Sequence, residues 1–186
     1  MRGRLGSRAA VGITGLLLLG VLAGCGTAAR GPASPRSDQS ATGRVPTTRW
    51  MTYSATARHV TLRLVAGYNS NLSGFNFDGY GQGNMVVQIP SGWRVTVAFT
   101  NRGALPHSVA IVGSGQSLVP VFPGAGLPAS DLQSGLAKGA SATFAFTTGA
   151  PGRYRIACLV PGHEVEGMWD VLQVTGAGTT PTIHYR

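Results

Sequence analysis

The chain has 186 residues, with 15 Lys and Arg against 6 Asp and Glu, 28 Gly, 11 Pro and two Cys. That length gives one domain with a substantial core and excludes two of ordinary size. The formal charge of +9 does not point to nucleic acid: Arg2, Arg4 and Arg8 sit at the start of an apolar leader, Arg30, Arg36, Arg44 and Arg49 lie in a polar stretch with only Asp38, and the rest carries no basic helix or aromatic-basic stripe.

Residues 1–24 have the layout of an export signal, a cationic start followed by the apolar run 9–23 and then Leu22-Ala23-Gly24-Cys25. The run is shorter than the roughly 20 residues that span a bilayer, which favours removal over anchoring by a helix. The final four residues resemble a bacterial lipobox, so cleavage before Cys25 and a diacylglyceryl group on its thiol are expected. The mature protein is then exported and held at the outer face of the cell membrane by its lipid. Residues 25–49 are Ala, Gly, Pro, Ser, Thr and Arg with almost no large apolar side chain, a composition that cannot offset the entropy of ordering and reads as a flexible tether.

A domain over 50–178 follows, with 179–186 expected to fray as a tail. Residues 50–57 read as a helical or irregular lead-in. Strict alternation over 59–65, with Val60, Leu62 and Leu64 on one face, predicts a half-buried strand. The Gly- and Asn-rich connection 66–83 holds a short strand around Phe75-Asn-Phe77. Residues 85–89 and 94–100 read as adjacent strands joined by the Pro90-Ser-Gly turn. After a strand over 108–112, the Gly- and Pro-rich segment 113–139 is long for a bare loop and implies a local fold or a function, with a helical turn over 130–136. Strands over 140–147, 153–158 and 168–174 complete the set. Tyr154, Ile156 and Cys158 share an inward face, and the whole pattern of short strands and turns predicts an all-β Greek-key β-sandwich.

The chemistry gathers in Cys158-Leu-Val-Pro-Gly-His163-Glu-Val-Glu-Gly-Met168. A thiol, an imidazole and a thioether follow one another with four residues between each and the next. These are three of the four ligand types of a blue-copper site, and His107, in a turn-rich loop that opens a β-branched strand, is the best candidate for the fourth. Lipidation of Cys25 leaves Cys158 without a disulfide partner in an oxidising compartment, and copper ligation would protect that thiol. His59 reads as a strand residue and His184 as a tail residue.

The stretches Leu105-Pro-His107-Ser and Cys158-Leu-Val-Pro-Gly-His163-Glu-Val-Glu-Gly-Met168-Trp-Asp resemble the cupredoxin family, and within it the sulfocyanins, with rusticyanin more distant. Gly74-Phe-Asn-Phe-Asp-Gly-Tyr80 and Ile89-Pro-Ser-Gly-Trp93 also resemble sulfocyanin sequence, so the similarity covers about residues 50–175. The resemblance implies one type 1 copper with His107, Cys158 and His163 as equatorial ligands and Met168 axial. It also implies that Ser108 ties the two ligand loops together, with Pro106 beside it as a supporting residue.

Leu105, Pro106, Val160 and Pro161 would form an apolar docking rim around the outer edge of His163. A copper oxidase would need a second site rich in histidine, whereas only His59 and His184 remain and there is no His-X-His pair. The expected function is therefore a monomeric, tethered copper electron carrier that serves redox proteins such as a cytochrome or a terminal oxidase and binds no nucleic acid. The alternative is a lipoprotein that stores or delivers copper.

Overall fold

The computed structural model describes residues 48–186. The leader, Cys25 and nearly all of the expected tether lie outside the described residues. Two sheets, with strands numbered in chain order, form the domain. The first contains β1 (Met51–Ser54), β2 (His59–Ala66), β4 (Arg94–Asn101) and β6 (Ser141–Thr147), in the order β1-β2-β4-β6. The second contains β3 (Met85–Pro90), β5 (Ala110–Val112), β7 (Gly152–Ala157), β8 (Trp169–Thr175) and β9 (Thr182–Tyr185), in the order β5-β7-β8-β3-β9.

Side chains alternate faces along a strand, so Val60, Leu62 and Leu64 of β2 and Val95, Val97 and Phe99 of β4 all enter the core. Their parallel register, Leu62 beside Val97 and Leu64 beside Phe99, makes one apolar wall. Met85, Val87 and Ile89 of β3, Ile156 of β7 and Leu172 of β8 belong to the same core. The expected all-β sandwich is what forms.

Four expectations need correction. Residues 51–54 are not an irregular lead-in: Met51 is buried and β1 pairs antiparallel with β2. Residues 179–186 are not a frayed tail, since β9 pairs with β3 and sets Ile183 opposite Val87; His184 is therefore a strand residue. Strands β3 and β4 are consecutive but not adjacent, because the turn between them crosses from one sheet to the other. Thr148 pins that corner, its hydroxyl donating to the Pro90 carbonyl at 2.7 Å and accepting from the Trp93 N–H at 3.0 Å. Around Phe75 there is no continuous strand: a short 3-10 turn spans Asn71–Gly74, and Phe77 makes isolated bridges to Ala66 and Tyr80.

The long segment after β5 does fold locally. Helix α1 (Ala129–Ser134) is one short piece of it. Upstream of α1, backbone bonds from Val121 to Ile111 O (2.8 Å), from Ile111 to Ala125 O (2.7 Å) and from Leu127 to Val109 O (3.2 Å) lay the segment along the open edge of β5. Downstream, Leu136 and His107 exchange backbone hydrogen bonds of 2.8 and 3.1 Å. The segment thus braces the loop that carries the first histidine. No helix among the described residues is long and apolar enough to cross a membrane.

Candidate metal centre

At one end of the sandwich the chain leaves β4, turns through 102–109 and enters β5, while a second loop joins β7 to β8. His107 comes from the first, and Cys158, His163 and Met168 come from the second. The nitrogen and sulfur donors of His107, Cys158 and His163 lie within 4.8 Å of one another. His107 Nδ1 is 3.1 Å from His163 Nδ1, which is 3.4 Å from Cys158 Sγ. Cys158 and Met168 are fully buried, and His107 and His163 are only 2% and 8% exposed.

The second loop is a compact run of turns. His163 N–H donates to Val160 O at 3.1 Å, Glu166 N–H to Gly162 O at 3.1 Å and Met168 N–H to His163 O at 2.9 Å. A bond from Cys158 N–H to Met168 O at 3.1 Å closes its two ends. Gly167 has φ +96°, a conformation that a side chain would strain, and this lets the chain drop back into β8 just before Met168.

The loops are cross-tied as the resemblance implied. Ser108 Oγ accepts from the Leu159 N–H at 2.9 Å, and the Ser108 N–H donates to Cys158 Sγ at 3.3 Å. Pro106 is exposed and precedes His107 directly.

Several supporting residues were not singled out from the sequence. The Asn101 side-chain amide donates to the carbonyls of Leu105 and Leu136, both at 2.8 Å, and its oxygen accepts from Gly103 N–H at 2.8 Å, which fixes the shape of the His107 loop. A Cβ on Gly103 would stand 2.6 Å from His107 Nε2, so only glycine leaves room for the ring. Phe75 packs edge-on against His163, with ring centroids 4.9 Å apart, and against His107 at 6.3 Å. A signal for Asn101 and Gly103 was present, a polar residue and a glycine closing a strand ahead of a histidine. The role of Phe75 depends on a contact distant in sequence.

Burial sets the protonation of the donors. It lowers the pKa of His107 to about 4, with the charge of His163 adding, and it lowers that of His163. Both imidazoles are therefore neutral near pH 7, with lone pairs free. Burial pushes the Cys158 thiol up, against hydrogen bonds from Ser108 and Val160 that favour the thiolate, while the Glu164 charge adds to the rise. Without a cation the thiol stays protonated and inert, and metal binding would release that proton.

Hard cations take oxygen ligands. A dry pocket that turns one thiol and two imidazoles toward each other fits a soft or borderline transition metal instead, and with the buried Met168 held by its backbone to both Cys158 and His163 the residues present fit one type 1 copper. The Sulfocyanin (SoxE) domain matches residues 46–184.

The chain belongs to the sulfocyanin family. Sulfocyanins are cupredoxins, blue copper electron-transfer proteins. The sulfocyanin of Sulfolobus acidocaldarius is 31% identical over 141 residues, covering 69% of this chain and 70% of the relative. The blue copper oxidase of Nitrosomonas europaea shares the fold, with a TM-score of 0.50 and 23% identity over 64% of this chain and 40% of that one. Reduced auracyanin of Roseiflexus castenholzii aligns with 27% identity and a TM-score of 0.45, over 62% of this chain and 96% of that one. The family match begins before β1 and runs into β9, in keeping with both strands being part of the domain.

Proposed function

We propose that this chain is a membrane-tethered electron carrier in which His107, Cys158 and His163 would hold one copper, with Met168 as a weaker fourth donor. It passes single electrons between redox proteins at the outer face of the cell membrane. The observation that carries this reading is the preassembly of three donors in a water-excluding pocket, with Cys158 and Met168 at 0% exposure. When bound, copper supplies one-electron cycling between Cu(I) and Cu(II) on one donor set. The chain's own part is rigidity and dryness. The loop closure between Cys158 and Met168, the Ser108 ties and the Phe75 ring oppose rearrangement, and the apolar surroundings favour the less charged metal state.

Delivery of copper requires exchange of ligands with an acceptor, and a fully buried thiolate tied at both loop ends opposes that exchange. The docking surface is the apolar ground outside His163, the less deeply buried histidine of the pair. Leu105 is 48% exposed, Pro106 and Pro161 are exposed, and Val160 is half-buried. Val165, 75% exposed, and Leu118, 58% exposed, extend this ground along a groove of about 270 Å³ whose wall is the stretch 158–162. The partners are redox proteins such as a cytochrome or a terminal oxidase, met by a monomer whose tether is lipidated at Cys25.

Repeated voltammetric cycling of the copper-loaded protein is expected to be reversible with one electron and no loss of metal. Rapid transfer of copper to a metal-free acceptor would replace the carrier by a delivery protein. Mass spectrometry of membrane-extracted protein should find diacylglyceryl on Cys25, and an unmodified Cys25 would remove the anchor. Val160→Glu should slow electron exchange with a partner while leaving the visible spectrum in place; an unchanged rate would move the exit elsewhere.

A further inference from the structure

One salt bridge occurs among the described residues, and it lies beside the metal donors. Arg155 Nη1 is 2.6 Å from Glu164 Oε1, with side chains only 22% and 11% exposed. The same guanidinium stacks over Trp169, 4.1 Å from the ring centroid. Arg155 opposes Val171 in the β7–β8 register, so Trp169 is its diagonal neighbour on the same face.

The positions in the chain matter as much as the distances. Arg155 stands three residues before Cys158, Glu164 directly follows His163, and Trp169 directly follows Met168. One planar side chain therefore touches residues next to the middle and the end of the ligand loop from a strand that leads into its beginning. A freely exposed ion pair contributes little. This one is mostly shielded, and a guanidinium can stack on an indole while it donates to a carboxylate, which an ammonium does less well.

We infer that Arg155 is a positioning residue for the copper loop. It holds Glu164, and through it His163, against the β7–β8 ribbon, and it cancels a carboxylate charge that would otherwise stand unbalanced beside the metal. This rests on the copper reading above. An uncompensated anion near the donors stabilises Cu(II) relative to Cu(I), and an uncompensated cation does the reverse. The two halves of the pair must therefore move the reduction potential in opposite directions. A mere loosening of the loop would not separate them by sign.

The test uses the copper-loaded full chain, followed by voltammetry, by copper release to a chelator and, on the metal-free protein, by amide exchange across residues 163–167. Arg155→Met, which keeps an apolar stem on Trp169, should lower the potential, and Glu164→Gln should raise it. Both should speed copper release by about tenfold or more, in the range usual for residues that orient metal ligands, and both should quicken amide exchange in the loop while the strands stay protected. Arg155→Lys should bring the potential back toward the wild type but leave release faster, because charge returns without the planar stack. Shifts of the same sign in Arg155→Met and Glu164→Gln would overturn the inference, as would unchanged release and exchange. If the wild-type chain showed no intense visible band with copper, the functional reading itself would fall and this inference with it. A normal band with the adverse outcomes above would overturn the inference alone.

Discussion

Two polar clusters are buried in the same sandwich, and burial acts on both in the same way. It drives His107 and His163 down, Cys158 up, Asp78 up to about 7 and Asp170 up to about 8, each toward its uncharged form. Asp170 is raised further by Asp78 nearby, while a backbone hydrogen bond to each acid pulls the other way. The clusters differ in where their atoms are aimed.

Asp78 Oδ1 accepts from the Val65 N–H at 2.8 Å and Asp170 Oδ1 from the Met85 N–H at 2.9 Å, while Oδ2 of each has no hydrogen-bond partner among the described residues. Those acids fasten backbone, one to β2 and one to β3. The donors of the other cluster face each other instead. Desolvation alone therefore does not mark a metal site; convergence of soft donors does.

The sharpest way to break this comparison is Cys158→Ala. It should abolish the intense visible band of the copper-loaded protein and leave the β-sheet circular dichroism intact; a surviving band would return Cys158 to the status of a buried filler.

Asp78→Ala should do the opposite, leaving the copper spectrum unchanged while costing about 1–3 kcal/mol in denaturant unfolding, because the Val65 N–H loses its partner. Asp78→Asn keeps an acceptor and should lose much less. Equal losses in the two variants would show that the hydrogen bond is not what the acid contributes.

The pH dependence separates the clusters by sign. In the metal-free protein the folded His107 refuses a proton that the unfolded chain accepts below about 6.5, so its contribution to stability is lost as pH falls toward about 4. The acids behave in reverse. Between their ordinary 3.8 and about 7 to 8 the folded chain keeps protons that the unfolded chain has lost, so stability falls as pH rises through that window. Thermal midpoints of metal-free Asp78→Asn should therefore drop less than the wild type's between pH 5 and pH 8. Superimposable profiles would remove Asp78 from the account.

The smallest effect on the fold is expected at Met168. Leu roughly conserves its volume, so Met168→Leu should cost less than ~1.5 kcal/mol while raising the reduction potential through loss of a donor to Cu(II); Met168→Gln should lower it. Potentials and spectra equal to the wild type in both would make Met168 ordinary core.

Much of this was legible in the chain because the signals were local. The alternation of Val60, Leu62 and Leu64 announced β2, and the spacing of Cys158, His163 and Met168 announced the ligand loop. What failed was decided by distant partners. The four residues of β9 carry little apolar pattern of their own and become a strand because β3 offers an edge. The apolar run of β3 looked like the hairpin partner of β4. Its burial pattern, with five of six residues buried, instead suits an interior strand that lies parallel to β8. In the site, the three converging donors His107, Cys158 and His163 could be read from residue type and order. Asn101, Phe75 and the Arg155–Glu164 pair act through contacts that only the folded chain creates.

The backbone that runs along β5 has a consequence for how this molecule meets its neighbours. Sheet margins with free N–H and C=O groups invite strand addition from other chains, a route to aggregation. At β5, Val121, Ala125 and Leu127 already occupy that margin through Ile111 and Val109. A second chain cannot zip onto the molecule there, a few residues from His107 and Cys158. Along that margin, contacts with another molecule are left to side chains, without the row of backbone hydrogen bonds that makes strand addition persistent.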